Sequence, residues 1–402
     1  MDGRSARLSL VFSCLGHAYM HLFAAFYFVI VLALEEAWTL PYHQLIELWT
    51  AGALLVGVAA LPAGWLGDRW SSAGMMAVFF LGMGGAGIAC AFVDGPTAMM
   101  LGLATIGLFA AIYHPVGIAW VVQSAPPERK GKALGINGVF GLIGVAASGL
   151  VAGGLIDLFS WRAAFLVPGV VCTATGLALV ACLRSGLIRE TRADRAPEPA
   201  PDRGDVKRAY LVLLLTMFLM GLIFQSTQAA LPKTFDLRLS DLAGAGTFGI
   251  GAILAGVYAV GGLMQVLGGH LADRLPLKLV YLAGFALQVP VLLLVGWLGG
   301  PALIALAMAT VILASGTLPA ENMMLARYTP QHRRSLAFGL KFVLAFGAAP
   351  VAMQLVSFVQ ERTGEFAWLF AGLAAIACVA GLAAALLPGS VRRPVAAPQP
   401  AE

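Results

Sequence analysis

Twelve stretches of this chain are each long and apolar enough to cross a lipid bilayer, and that recurrence limits the fold more than any other feature. A spanning helix needs about 20 mostly apolar residues. Runs of this kind fall near 8–34, 44–66, 74–93, 97–121, 133–156, 162–183, 209–232, 246–271, 279–298, 302–326, 336–358 and 366–387. Helices are expected because lipid offers open backbone groups no partner, and the runs lack the roughly ten-residue alternation of barrel strands. The first run is too long for the apolar core of a secretory signal. Glu35-Glu36-Ala37-Trp38 after it makes a poor cleavage site, so it reads as a retained span.

Composition decides between lipid and water as the solvent. Hydrophobic residues make up 60% of the 402 and charged ones 11%; soluble domains carry about 25% charged residues. The net charge of +5 raises the question of nucleic acid, so the placement of the charges matters. An even number of spans puts both termini on one side. If that side is cytoplasmic, its segments hold 20 of the 25 Lys and Arg, while Arg162, Lys233, Arg238 and Arg362 lie opposite and Lys341 sits inside a span. This is a positive-inside pattern, so the basic balance sets orientation and no nucleic-acid partner is expected. The five cysteines lie in or beside apolar runs with no C-x-x-C spacing, which supports neither a disulfide framework nor a zinc site.

The charged, proline-bearing stretch 184–208 divides the chain into a bundle over 1–183 and a second over 209–388, with a tail at 389–402. The halves repeat each other. Gly64-Trp-Leu-Gly-Asp68-Arg69 aligns with Gly269-His-Leu-Ala-Asp273-Arg274, and Pro115, Pro126, Arg129, Ala133 and Gly135 align with Pro319, Pro330, Arg333, Ala337 and Gly339. Two parallel six-helix repeats are the mark of a transporter with cargo bound near the midplane. The paired Gly-x-x-x-Asp-Arg turns, with Ser160-Trp161-Arg162 opening the sixth span, resemble the major facilitator superfamily along essentially the whole chain. Ser71, Ser72 and Ala73 stand where the family has a glycine and two basic residues. The resemblance implies that Asp68 and Asp273 latch the cytoplasmic side, each beside the start of a helix in the other half and paired with Arg129 or Arg333. The expected fold is an all-α integral membrane protein of twelve transmembrane helices in two six-helix bundles related by a pseudo-two-fold repeat, with both termini cytoplasmic.

Charges inside spans cost roughly 2.5–3.5 kcal/mol each on insertion scales and default to functional roles. Glu321 and Lys341 are such a pair of positions, and their repeat counterparts are the uncharged Gly117 and Asn137. Being charged together in one half and neutral together in the other, they are expected to pair, as a structural salt bridge or as a proton or anion site. His17 and His21 share a face of the first helix at i,i+4. They read as interior hydrogen-bonded histidines, as a proton relay, or as two metal ligands lacking a visible third. Tyr113-His114-Pro115 lies in the fourth span where proline permits a bend. With Gly16-His17 and Glu321-Asn322 it is similar, more weakly, to the fosmidomycin-resistance branch of the superfamily. Gln225-Ser226-Thr227-Gln228 offers hydrogen-bonding groups in the seventh span, and Tyr258 and Gln265 add others in the eighth. Glu35, Glu36 and Glu47 read as solvated rim residues.

Two G-x-G-x-x-G strings, at Gly82–Gly87 and Gly244–Gly249, follow no strand and read as helix-packing surfaces rather than dinucleotide loops. No Walker loop or assembled catalytic set is present, so neither enzyme activity nor a cofactor or bound metal is expected. The sequence reads as a monomeric secondary transporter of the bacterial inner membrane, moving a small organic solute or drug outward with protons as the coupling ion. Uptake of an organic anion against Lys341, and a non-transporting receptor on the same fold, are the alternatives.

Overall fold

The computed structural model describes residues 3–126, 130–189, 206–239, 242, 244, 246–329 and 334–388. Eleven helices among them are long and apolar enough to span a membrane: α1 (Gly3–Trp38), α3 (Ser72–Cys90), α4 (Pro96–Ser124), α5 (Lys132–Leu158), α6 (Trp161–Arg184), α7 (Lys207–Arg238), α8 (Thr247–Arg274), α9 (Leu277–Trp297), α10 (Gly300–Tyr328), α11 (Gly339–Thr363) and α12 (Ala367–Ala385). The twelfth span, α2, is the pair Tyr42–Val58 and Ala60–Arg69, bent by 40° at Ala59. The bend has a local cause. Pro62 has no N–H to donate to Val58, and its ring crowds that carbonyl. Most of the 184–208 stretch, the 389–402 tail, Arg129 and Arg333 lie outside the described residues.

The surface confirms lipid as the solvent. Val139, Leu177, Leu263, Leu293 and Leu382 are exposed along the helices, a display that a soluble protein avoids. Inside, small residues bring backbones together: a Cβ on Gly149 of α5 would stand 3.0 Å from the carbonyl oxygen of Gly251 on α8. The Gly82–Gly87 string likewise lets α3 approach Gly169 and Thr173 of α6. Close packing of this kind replaces the hydrophobic effect, which lipid does not supply between helices.

The helices run up and down, so the beginning of α1 and the end of α12 share one face, here called the terminal face; the α1–α2 connection lies on the far face. Cross-bundle packing is heaviest between α5 and α8 and between α2 and α11, and α1 adds contacts with α7 and α8. At the far face these pairs are also bonded. Lys233 of α7 holds Glu35 of α1 at 2.6 Å, and Tyr42 donates to the Ala229 carbonyl at 2.9 Å. Ser357 of α11 donates to Glu47 at 2.6 Å. Asp157, at the end of α5, accepts from the Thr247 and Phe248 amides of α8 at 3.0 and 2.9 Å. Glu35, half-buried, and Glu47, still exposed at the rim, are thus bonded across the bundles, contacts that their loop position did not imply. At the terminal face, by contrast, Lys278 binds the Ala385 and Leu387 carbonyls and Arg208 that of Leu386, all within one bundle. Asp68, Asp273 and Arg274 are exposed there, and Arg69 stacks on Trp65, 4.2 Å from the ring centre.

Candidate functional site

Polar groups gather inside the terminal-face half of the spans, on both sides of the bundle interface. In the second bundle, Glu321 of α10 and Lys341 of α11 meet with Nζ 2.6 Å from Oε1, and they are only 2% and 6% exposed. Glu321 lies seven residues from Tyr328, or about 10 Å along the helix from its terminal-face end. Asn322 supplies a second acceptor, its Oδ1 2.5 Å from the ammonium. Tyr281 of α9 donates to the other carboxylate oxygen of Glu321 at 2.8 Å, and its hydroxyl lies 2.9 Å from Thr216 of α7. Four helices thus converge on one neutral pair. Both charges are hydrogen-bonded as well as paired, the condition under which a low-dielectric interior tolerates them.

The first bundle carries the uncharged counterpart. Asn137 of α5 takes the place of Lys341 and donates to Tyr113 of α4 at 2.8 Å and to Ser13 of α1 at 3.4 Å. Ser13 in turn donates to the carbonyl of Gly117, the counterpart of Glu321, at 3.0 Å. The duplication therefore preserves a link between the same two helix positions and makes it ionic in one copy only.

Tyr113 and His114 owe their placement to Pro115. The proline removes an amide from the α4 ladder, and Tyr113–Gly117 widens into a π-helical turn. The turn directs His114 toward His17 and His21, with ring centres 5.5 Å from each. His17 and His21 themselves are 5.0 Å apart, and His17 stacks on Tyr113 at 4.7 Å. Across the interface, Phe342 and Phe346 of α11 stack on His114 at 4.6 and 4.9 Å. Sequence spacing showed two histidines of this cluster; the third arrives only by the packing of α4 on α1.

Other expected residues stay apart. The Gln225 and Gln228 side chains make no hydrogen bond among the described residues, and Gln228 is buried. Thr227 between them lines a small cavity with Tyr258, Thr310 and Val311, where the Thr227 and Tyr258 hydroxyls have no partner among the described residues. The sixth-span motif has a structural use: Arg162 donates to the Ala91 and Val93 carbonyls at the end of α3 and pairs with Asp94 at 2.6 Å. Tyr281, Thr216 and Asp157 carried no signal in the sequence. Each is a common residue type whose meaning depends on what faces it.

The profile of the Major Facilitator Superfamily matches residues 12–263 and 244–402, and the protein belongs to that superfamily. It is 32% identical over 154 residues to the tetracenomycin C resistance and export protein of Streptomyces glaucescens, covering 37% of this chain and 27% of that one. It is 34% identical over 149 residues to a puromycin resistance protein of Streptomyces alboniger, 37% of this chain and 28% of the other. The chain thus spans only about a quarter of those relatives. The multi-drug resistance efflux pump PmrA of Streptococcus pneumoniae is 24% identical over 270 residues, 66% of each chain. Among solved structures, the fold resembles a bacterial homolog of the human lysosomal transporter Spinster (TM-score 0.72, 14% identity, 96% of this chain and 97% of that one). It also resembles the peptide transporter POT in complex with sulfate (TM-score 0.75, 17% identity, 96% of each chain).

Proposed function

We propose that this protein exports small organic compounds of the drug type across the bacterial inner membrane, as a monomer, by alternating access coupled to proton entry. Residues 1–183 and 209–388 would be the rocking bodies, joined by 184–208 and followed by the 389–402 tail. The resistance and export functions named for the relatives support the cargo class and direction, and the positive-inside pattern supports a cytoplasmic terminal face. The observation that carries the coupling is the buried Glu321–Lys341 pair with Tyr281 on its second oxygen.

Its chemistry follows from charge balance. While Glu321 is ionised, Lys341 is neutralised and the site adds no net charge to the interior. A proton arriving on Glu321 removes the attraction and leaves the ammonium held by Asn322 alone, so protonation and cargo occupancy can compete for one arrangement. The far-face clasps and the exposed Asp68 and Asp273 correspond to a cytoplasm-facing state with an unprotonated carboxylate. Latching of Asp68 and Asp273, with Arg69 and Arg274 beside them and Arg129 and Arg333 as partners, would close that face in the opposite state. Gly64 and Gly269 lie within the helical ends of α2 and α8, and Gly64 lets α2 approach α4, since a Cβ there would stand 3.1 Å from Pro115.

Flux of a panel of cationic and neutral drugs in proteoliposomes, with and without an imposed pH gradient, tests the proposal. Gradient-dependent movement of at least one compound toward the compartment facing the far side is expected. Flux indifferent to the gradient would remove proton coupling, and absence of flux across the panel would favour a receptor role.

A further inference from the structure

We propose that His17, His21 and His114 form a binding site for one divalent transition-metal ion of the zinc type, a reading that does not depend on the direction or coupling of transport. One ring nitrogen of each histidine lies within 4.8 Å of the others. Tetrahedral zinc with Zn–N bonds near 2.0–2.1 Å needs its nitrogens about 3.4 Å apart, so closing the site asks each ring to move inward by about 1 Å. Side-chain rotation of that size leaves the helices where they are.

Three observations separate this cluster from ordinary aromatic packing. His114 is 8% exposed, yet both its nitrogens are buried with no hydrogen-bond partner among the described residues. A buried imidazole in that condition is unusual and demands a ligand or another explanation. His17 is prepared as a ligand by its outer contact: Nδ1 lies 2.8 Å from the Asn137 backbone carbonyl. A carbonyl only accepts, so Nδ1 carries the proton and Nε2 keeps its lone pair. This is the second-shell arrangement that fixes the tautomer of metal-bound histidines. The His17 ring is accommodated by a missing side chain, since a Cβ on Gly141 would stand 2.6 to 2.9 Å from its Nε2, Cε1 and Cδ2.

The donor set also selects the ion. Three imidazoles with no carboxylate in the cluster do not suit Mg²⁺ or Ca²⁺, which take oxygen ligands. They suit Zn²⁺ and its first-row neighbours. Three histidines leave a fourth position open to water or to a donor atom of the cargo. His21 is the partly exposed ligand and marks the side of entry, while Phe342 and Phe346 cover His114 from the other bundle.

The test uses full-length, tag-free protein in detergent, stripped with a chelator and titrated with Zn²⁺ against a competing chromophoric chelator. A parallel titration with Co²⁺ reads coordination geometry from its visible spectrum. One ion per chain is expected, with a tetrahedral Co²⁺ spectrum. His114→Ala and His21→Ala should each weaken binding by more than about 10-fold, and His43→Ala and His270→Ala should leave it unchanged. Gly141→Ala keeps all three ligands but crowds His17, so it should also weaken binding even if a histidine variant fails to fold. Absence of stoichiometric binding by the folded wild type, or binding that survives in the His17/His21/His114 triple alanine variant, would overturn the proposal.

Discussion

Glu321 and Lys341 illustrate how a buried pair is read by perturbation. Removing one partner strands the other in apolar surroundings, whereas removing both leaves two neutral groups, and breaking such pairs singly costs about 3–5 kcal/mol. Glu321→Gln should therefore lower thermal stability in detergent by about 3 kcal/mol, and Glu321→Gln/Lys341→Met should recover most of that loss. Additive losses on the melting curves would argue against a pair that acts as a unit. These two residues were legible in the sequence because charge is so scarce within the spans and because the repeat offered neutral counterparts at Gly117 and Asn137. Tyr281 and Thr216 were not legible: a tyrosine in an apolar run of α9 looks like core until the fold sets it against a carboxylate. The same applies to His114, whose spacing from His17 along the chain says nothing of their 5.5 Å separation.

Single helices matter here mainly through their ends and interruptions. The start of α8 is capped from the other bundle: Asp157 accepts from two α8 amides and from the Thr247 hydroxyl at 2.7 Å. Gly246, just before the helix, has φ +109° and faces the Asp157 carboxylate where a Cβ would stand. A carboxylate here complements the partial positive charge of the helix N-terminus, and capping contacts of this type are worth about 1 kcal/mol. Because the cap spans the bundles, losing it should shift a conformational balance as well as weaken a helix. Asp157→Ala is expected to raise the labelling rate of a cysteine placed at Thr247 by roughly 5-fold, the equivalent of about 1 kcal/mol; an unchanged rate would show that the cap does not hold the far face closed. Helix number and approximate limits were readable from hydropathy alone. The bends were readable only in part, since Pro115 produces a π-helical turn in α4 while its counterpart Pro319 is accommodated within a continuous α10.

Across the whole molecule, the far face is clasped while the repeated acids Asp68 and Asp273 stand exposed at the other end. Twelve spans, an internal duplication and a superfamily motif made the architecture legible in the sequence, because bilayer thickness and backbone hydrogen bonding leave few alternatives. Which face is clasped was not legible, since it depends on pairings between helices that residue type alone does not reveal. If Asp68 latches the terminal face in the opposite state, Asp68→Asn should slow transport by about 10-fold, a loss near 1.4 kcal/mol, while leaving cargo binding intact; wild-type rates would remove the latch assignment. If Glu321 couples proton movement to cargo movement, exchange separates that role from binding. In proteoliposomes with a transported drug on both sides, counterflow needs rocking and binding but no net proton transfer. The Glu321→Gln/Lys341→Met protein is expected to retain counterflow and lose pH-gradient-driven accumulation. Accumulation preserved in that variant would contradict it.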